Sequence, residues 1–98
     1  MTRPDIHFIA QLESIIRERI DSGAEESYTA RLVASGTKRI AQKVGEEGVE
    51  LALAATAGSQ QETIDEAADL IYHLIVLLAE RGLSLEDVSA RLRTRHGS

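Results

Sequence analysis

Apolar positions along this chain recur at intervals of three and four residues, and no segment alternates one-in-two as a strand would. Phe8, Leu12, Ile15, Ile16 and Ile20 share one face, so a first amphipathic helix is predicted from about Asp5 to Ile20. Asp21 to Glu26, with Gly23, reads as a connection. Ser27 is placed to cap a short second helix through Val33, which Gly36 interrupts. Thr37 reads as the cap of a long third helix to about Ala57, with Gly58 just past its end. Ser59 and Glu62 have capping-box spacing for a fourth helix that ends near Arg81 and Gly82. Ser84 and Asp87 repeat the device before a last helix to about Arg95. Pro4, the only proline, stands before the first helix.

Short Gly/Ser connections between long helices favour antiparallel neighbours, so the expected fold is all-α, an antiparallel helical bundle. About three residues join the third and fourth helices, which should therefore form a hairpin. Ninety-eight residues suit one domain, residues 1–98, small enough to gain from oligomerising. On the fourth helix an acidic strip of Glu62, Glu66 and Asp69, continued by His73, runs alongside Leu70 and Leu77. Ile64, Ile71, Ile75 and Leu78 lie opposite. A helix apolar on both flanks is a buried one, so Asp69 is expected to face the interior of the assembly.

Composition narrows the function by exclusion. With no cysteine, disulfides, zinc thiolates and thiol nucleophiles are absent, which fits a reducing compartment. The longest apolar stretch, Leu70 to Ala79, is half of what a bilayer requires, so no membrane association is expected. The first residues lack a charged run followed by an apolar one, so a cytoplasmic location is expected. A net charge of −5 and only three aromatic residues (Phe8, Tyr28, Tyr72) argue against a nucleic-acid partner. Neither a Walker-type glycine loop nor an HExxH zinc motif nor a nucleophile elbow is present.

Charge is unevenly spread. From Val44 through Glu80 there are eight acids and neither lysine nor arginine. Five of those acids form a pattern: Glu46, Glu47 and Glu50, then a gap of fifteen residues, then Glu66 and Asp69. Residues three or four apart share a helix face, so Glu47 with Glu50, and Glu66 with Asp69, each make a pair of carboxylates. One such pair is far more often a solvated surface feature than a metal site. Two pairs on consecutive helices, intruding on apolar stripes, are different. Glu47 falls among Ile40, Val44, Leu51 and Ala54, where an acid is costly unless a cation meets it. Antiparallel packing would bring four acids together, and Mg²⁺ is the hard divalent ion that oxygen ligands and phosphate chemistry favour.

Glu46 is open to three readings: outer ligand, base or surface acid. The general base itself is open among Glu46, Glu47 and Glu50. His73, one turn past Asp69, is a candidate for orienting a ligand or binding substrate, although a histidine there is more often a satisfied core residue. Lys43 shares the face of the first acids and is a candidate phosphate contact, whereas Arg39 reads as solvated. His7 and His96 carry no signal.

SYTARL (Ser27 to Leu32), GTKRIAQKVGEEGVELALAA (Gly36 to Ala55), EAADLIYHLIVLL (Glu66 to Leu78) and GLSLEDV (Gly82 to Val88) together resemble the phosphoribosyl-ATP pyrophosphohydrolases. These belong to the MazG-like all-α nucleoside triphosphate pyrophosphohydrolases, whose shared pattern is EExxE followed by ExxD. The acidic pattern alone identifies that superfamily; SYT, GTKRIAQKVGEE and DLIYH are more specific. The resemblance runs from Ser27 onward, and the helix before it is generic. It implies Mg²⁺-dependent hydrolysis of 1-(5-phosphoribosyl)-ATP to phosphoribosyl-AMP and pyrophosphate, the second step of histidine biosynthesis. It implies that Glu47, Glu50, Glu66 and Asp69 are the metal ligands and that Glu46 supports them. Lys38, Arg39 and Lys43 would lie on substrate phosphates, and a homodimer would complete the bundle. Tyr72 and His73 match the family's YH without an assigned role. In many members the domain is fused to the enzyme of the next step, for which this chain is too short. The alternatives are a house-cleaning hydrolase of ordinary nucleotides and a non-catalytic helical dimerisation module.

Overall fold

A computed structural model describes residues 5–97; Pro4 lies outside the described residues. Five helices follow one another: α1 (His7–Ser22), α2 (Tyr28–Ala34), α3 (Thr37–Ala57), α4 (Gln60–Glu80) and α5 (Leu85–His96). The all-α expectation holds, and no strand occurs among the described residues. None of these helices is long and apolar enough to cross a membrane.

Three predicted caps form as read. Ser27 accepts the Ala30 N–H, and Ser59 with Glu62 and Ser84 with Asp87 each close a full capping box. Other boundaries differ. α1 begins at His7 rather than about Asp5 and continues to Ser22, because Gly23 at φ 62° supplies the left-handed residue that ends it. Thr37 is the first residue of α3 and caps nothing; Gly36 precedes it at φ 99°, and the Thr37 hydroxyl donates instead to Glu80 Oε1 at 2.6 Å.

α3 and α4 form the predicted hairpin, joined through Gly58 and Ser59. A Cβ at Gly58 would lie 2.9 Å from the Ala54 carbonyl oxygen, so this turn admits only glycine without a shift. α1 and α2 pack across the open end of the hairpin, where Ile16, Leu32, Ile40, Ile75 and Val76 build the core. Burying each such side chain contributes about 1.5–3 kcal/mol. The closed end has little cover: Ala54 is its one buried apolar residue, while Val49, Leu53 and Ile64 are exposed. α5 buries no residue of its own. It is tied at its start, where Glu13 accepts the Leu85 N–H at 2.7 Å.

Candidate functional site

The hairpin register decides which acids meet. α3 turns Glu47 inward, as its place in the apolar stripe predicts, leaving it 5% exposed. Across the interface, α4 presents Glu66 and Asp69. Carboxylate oxygens of Glu47, Glu66 and Asp69 all lie within 4.8 Å of one another. Glu50 is exposed and stands outside this group of three. Asp69 is exposed in the single chain, although the apolar flanks of α4 predict an interior position in the assembly.

The electrostatics are unfavourable without a cation. Glu47 Oε2 and Glu66 Oε2 are buried with no hydrogen-bond partner. Native structures rarely leave such atoms unsatisfied. The Glu66 carboxyl is held above the ordinary glutamate value, first by hydrogen bonding with Glu50, then by burial and by repulsion from Glu50, Asp69 and Glu47. Clustered oxygens on two rigid helices, with two buried oxygens lacking any donor, fit a hard divalent ion.

One cation reaches the group. Lys43 Nζ lies 3.5 Å from Glu47 Oε1 and 3.8 Å from Glu46 Oε1. Burial acts to lower its pKa, yet Tyr28, Glu47 and Glu46 together hold the ammonium above its ordinary value. Glu46 is exposed and also accepts from Gln42 Nε2 at 3.1 Å. Lys38 and Arg39, one or more turns earlier, are exposed and make no ion pair among the described residues. Beyond Glu66, toward the hairpin tip, an open cleft of about 330 Å³ runs between Glu50, Glu62 and Glu66 over Leu53 and Ala54.

His73 is buried, and both ring nitrogens are engaged. Nδ1 meets the Asp69 carbonyl at 2.8 Å and Nε2 meets the Tyr28 hydroxyl at 2.9 Å. In this arrangement it has no nitrogen left for substrate, and the commoner core reading describes it. Tyr72 packs edge-on against His73, and its hydroxyl pairs with the buried Thr29. Tyr28 and Thr29 thus tie α2 to the helix carrying Glu66 and Asp69. Sequence reasoning singled out neither one; the signal available was that SYT and YH each put hydroxyl or imidazole groups on otherwise apolar short segments.

Comparison with known proteins identifies the family. The sequence model of one family, phosphoribosyl-ATP pyrophosphohydrolase, matches residues 9–96. The histidine biosynthesis bifunctional protein HisIE of Photobacterium profundum is 58% identical over 94 residues, covering 96% of this chain and 45% of that protein. The protein of the same name from Campylobacter jejuni subsp. jejuni is 59% identical over 92 residues, 94% of this chain and 44% of its own length. That of Escherichia coli is 60% identical over 89 residues, 91% of this chain and 44% of its own. The chain spans somewhat under half the length of these curated relatives.

Proposed function

The chain belongs to the phosphoribosyl-ATP pyrophosphohydrolase family, and from that membership and the carboxylate geometry we propose that it hydrolyses 1-(5-phosphoribosyl)-ATP between the α and β phosphates. The products are phosphoribosyl-AMP and pyrophosphate, which places the reaction second in histidine biosynthesis, in the cytoplasm. The observation that carries the reading is the meeting of Glu47, Glu66 and Asp69 within 4.8 Å, with buried Glu47 and Glu66 oxygens that no protein group satisfies.

Glu47, Glu66 and Asp69 would hold Mg²⁺, and Glu50, beside Glu66, completes the set. Bound there, the ion supplies neutralisation of the phosphate charge and a water acidified toward neutral pH. The chain's own residues do the rest. Two rigid helices fix the carboxylates, so little reorganisation accompanies the reaction. Attack by water on the α phosphorus breaks its bond to the bridging oxygen, and pyrophosphate leaves with that oxygen. The proton released by the water passes to a carboxylate; Glu46, Glu47 and Glu50 are the candidates. Lys43 is the cation best placed for the departing phosphates, with Lys38 and Arg39 along the approach.

We also propose that residues 1–98 act as one domain and that two copies pair. The chain's radius of gyration is 14.7 Å, against about 13 Å for a compact chain of 100 residues. Val49 and Leu53 remain exposed on α3 beside Glu50, and Ile64 is exposed on α4. A second hairpin laid there would form a four-helix layer and cover Asp69.

The test is Mg²⁺-dependent pyrophosphate release from phosphoribosyl-ATP, run beside ATP, dUTP and dCTP. Release from phosphoribosyl-ATP alone is expected. Preferential turnover of the ordinary nucleotides would replace this reading with a house-cleaning hydrolase, and no turnover of any substrate would leave a helical interaction module.

A further inference from the structure

We propose that Lys43 is a resident counter-ion of the carboxylate cluster, displaced by the divalent ion and thereby delivered to the substrate's phosphates only once metal is bound. The inference rests on the metal-dependent reading above and adds an order of events to it.

The geometry is specific. Lys43 Nζ spans Glu47 Oε1 at 3.5 Å and Glu46 Oε1 at 3.8 Å. It is the only cation in ion-pair contact with the five acids among the described residues. Nothing from Val44 through Glu80 could replace it, since that stretch has no lysine or arginine. Its side chain is half-buried along α3, with the ammonium at the edge of the carboxylates. One charge is nevertheless too little: the second oxygen of Glu47 and that of Glu66 stay unpartnered.

A divalent ion does what the ammonium does incompletely. It neutralises several oxygens at once, and two like charges cannot both sit against Glu47 without repelling each other. Lysine suits a group that must let go, being a point charge on a flexible stem rather than a planar fork. Rooted one helical turn before Glu47, it can leave that carboxylate while remaining within reach of a phosphate held over the cluster. Lys43 should therefore oppose metal binding in the absence of substrate and favour substrate once metal is present. A simple phosphate contact would show only the second effect. A structural ion pair would show neither.

The experiment compares the full chain with Lys43→Gln, Lys43→Met, Lys43→Arg and Arg39→Gln. Mn²⁺ binding without substrate is read by calorimetry, and KM and kcat are read at saturating Mg²⁺. Lys43→Gln and Lys43→Met should bind Mn²⁺ about tenfold more tightly and show KM raised about tenfold, with kcat less affected. Lys43→Arg should return Mn²⁺ affinity toward that of the unmodified chain, and Arg39→Gln should barely change it. Unchanged or weaker Mn²⁺ binding in both neutral variants, or equal tightening in Arg39→Gln, overturns the counter-ion role while leaving the hydrolase reading intact. Absence of Mn²⁺ binding by the unmodified chain overturns both.

Discussion

The Tyr28 hydroxyl and His73 Nε2 stand 2.9 Å apart, joining α2 to the middle of α4. The other ring nitrogen lies 2.8 Å from the Asp69 carbonyl, which can only accept, so Nδ1 carries the hydrogen. In the neutral imidazole Nε2 accepts and the Tyr28 hydroxyl donates. Tyr28→Phe removes that donor and leaves a buried nitrogen unpaired, which should cost about 1–2 kcal/mol of stability. Chemical denaturation would measure the loss, and ¹⁵N chemical shifts of His73 would show whether the neutral Nδ1–H form persists. A variant with unchanged stability and an unchanged imidazole spectrum would remove this contact from the account.

The carboxylates should behave oppositely with and without metal. Glu47, Glu66 and Asp69 repel one another in the bare chain, so Asp69→Asn should raise the Tm of the metal-free protein by a few degrees. The same change should abolish turnover and most of the Tm gained on adding Mg²⁺, because only a ligand bound by the folded state stabilises it. Glu47→Gln should likewise abolish turnover with helicity retained. Thermal melts with and without Mg²⁺, beside the pyrophosphate assay, read each effect separately. Retained turnover in either variant would strike that residue from the ligand set.

Helix starts with a side-chain signature were legible in the sequence, as was the glycine end of α3, whereas the start of α3 and the end of α1 were not. Ser27, Ser59 with Glu62, and Ser84 with Asp87 announce their caps through residue type and spacing. The start of α3 carried a misleading sign. Threonine is a common cap, but Gly36 takes the cap position and the Thr37 hydroxyl serves a contact with Glu80, 43 residues away. The acids divide in the same manner. Helical periodicity identified Glu47 as an inward acid. Antiparallel packing predicts that Glu47, Glu50, Glu66 and Asp69 converge, and the inter-helix register brings Glu47 to Glu66 and Asp69 with Glu50 outside that group. Register depends on side chains that interlock across α3 and α4, which one-dimensional spacing does not contain. The engagement of His73 was hidden for the same reason, since its partner Tyr28 is 45 residues distant.

Glu66 makes the metal-free protein sensitive to pH in a particular direction. Its folded-state pKa is raised, chiefly by hydrogen bonding with Glu50, so the folded chain holds its proton more tightly than the unfolded one. Stability from this group is therefore present below the ordinary glutamate range and falls as pH rises through the raised folded value. Mg²⁺ competes for the same oxygens, so the stabilisation gained from the ion should grow over that window. Glu66→Gln should flatten both trends. Urea midpoints across the weakly acidic range, with and without Mg²⁺, would show it; a slope identical in Glu66→Gln would assign the pH dependence to other groups.

Pairing of two chains should depend on the apolar residues at the uncovered end of the hairpin. Val49 and Leu53 are each 62% exposed on α3, and Ile64 is 59% exposed on α4. Each is open to solvent here, and covering one fully contributes about 1.5–3 kcal/mol. Leu53→Glu combined with Ile64→Lys places charges in that surface without touching the core of Ile16, Leu32, Ile40, Ile75 and Val76. Sedimentation equilibrium should show the unmodified chain at twice its 10.7 kDa mass and the double variant near 10.7 kDa. Helical circular dichroism should be largely retained, because the interior of each protomer is independent of the exposed strip. Turnover should fall as pairing is lost, since Val49 and Leu53 adjoin Glu50. A double variant that stays dimeric would move the interface to another face, and a monomeric variant with full activity would show that one chain suffices for the chemistry.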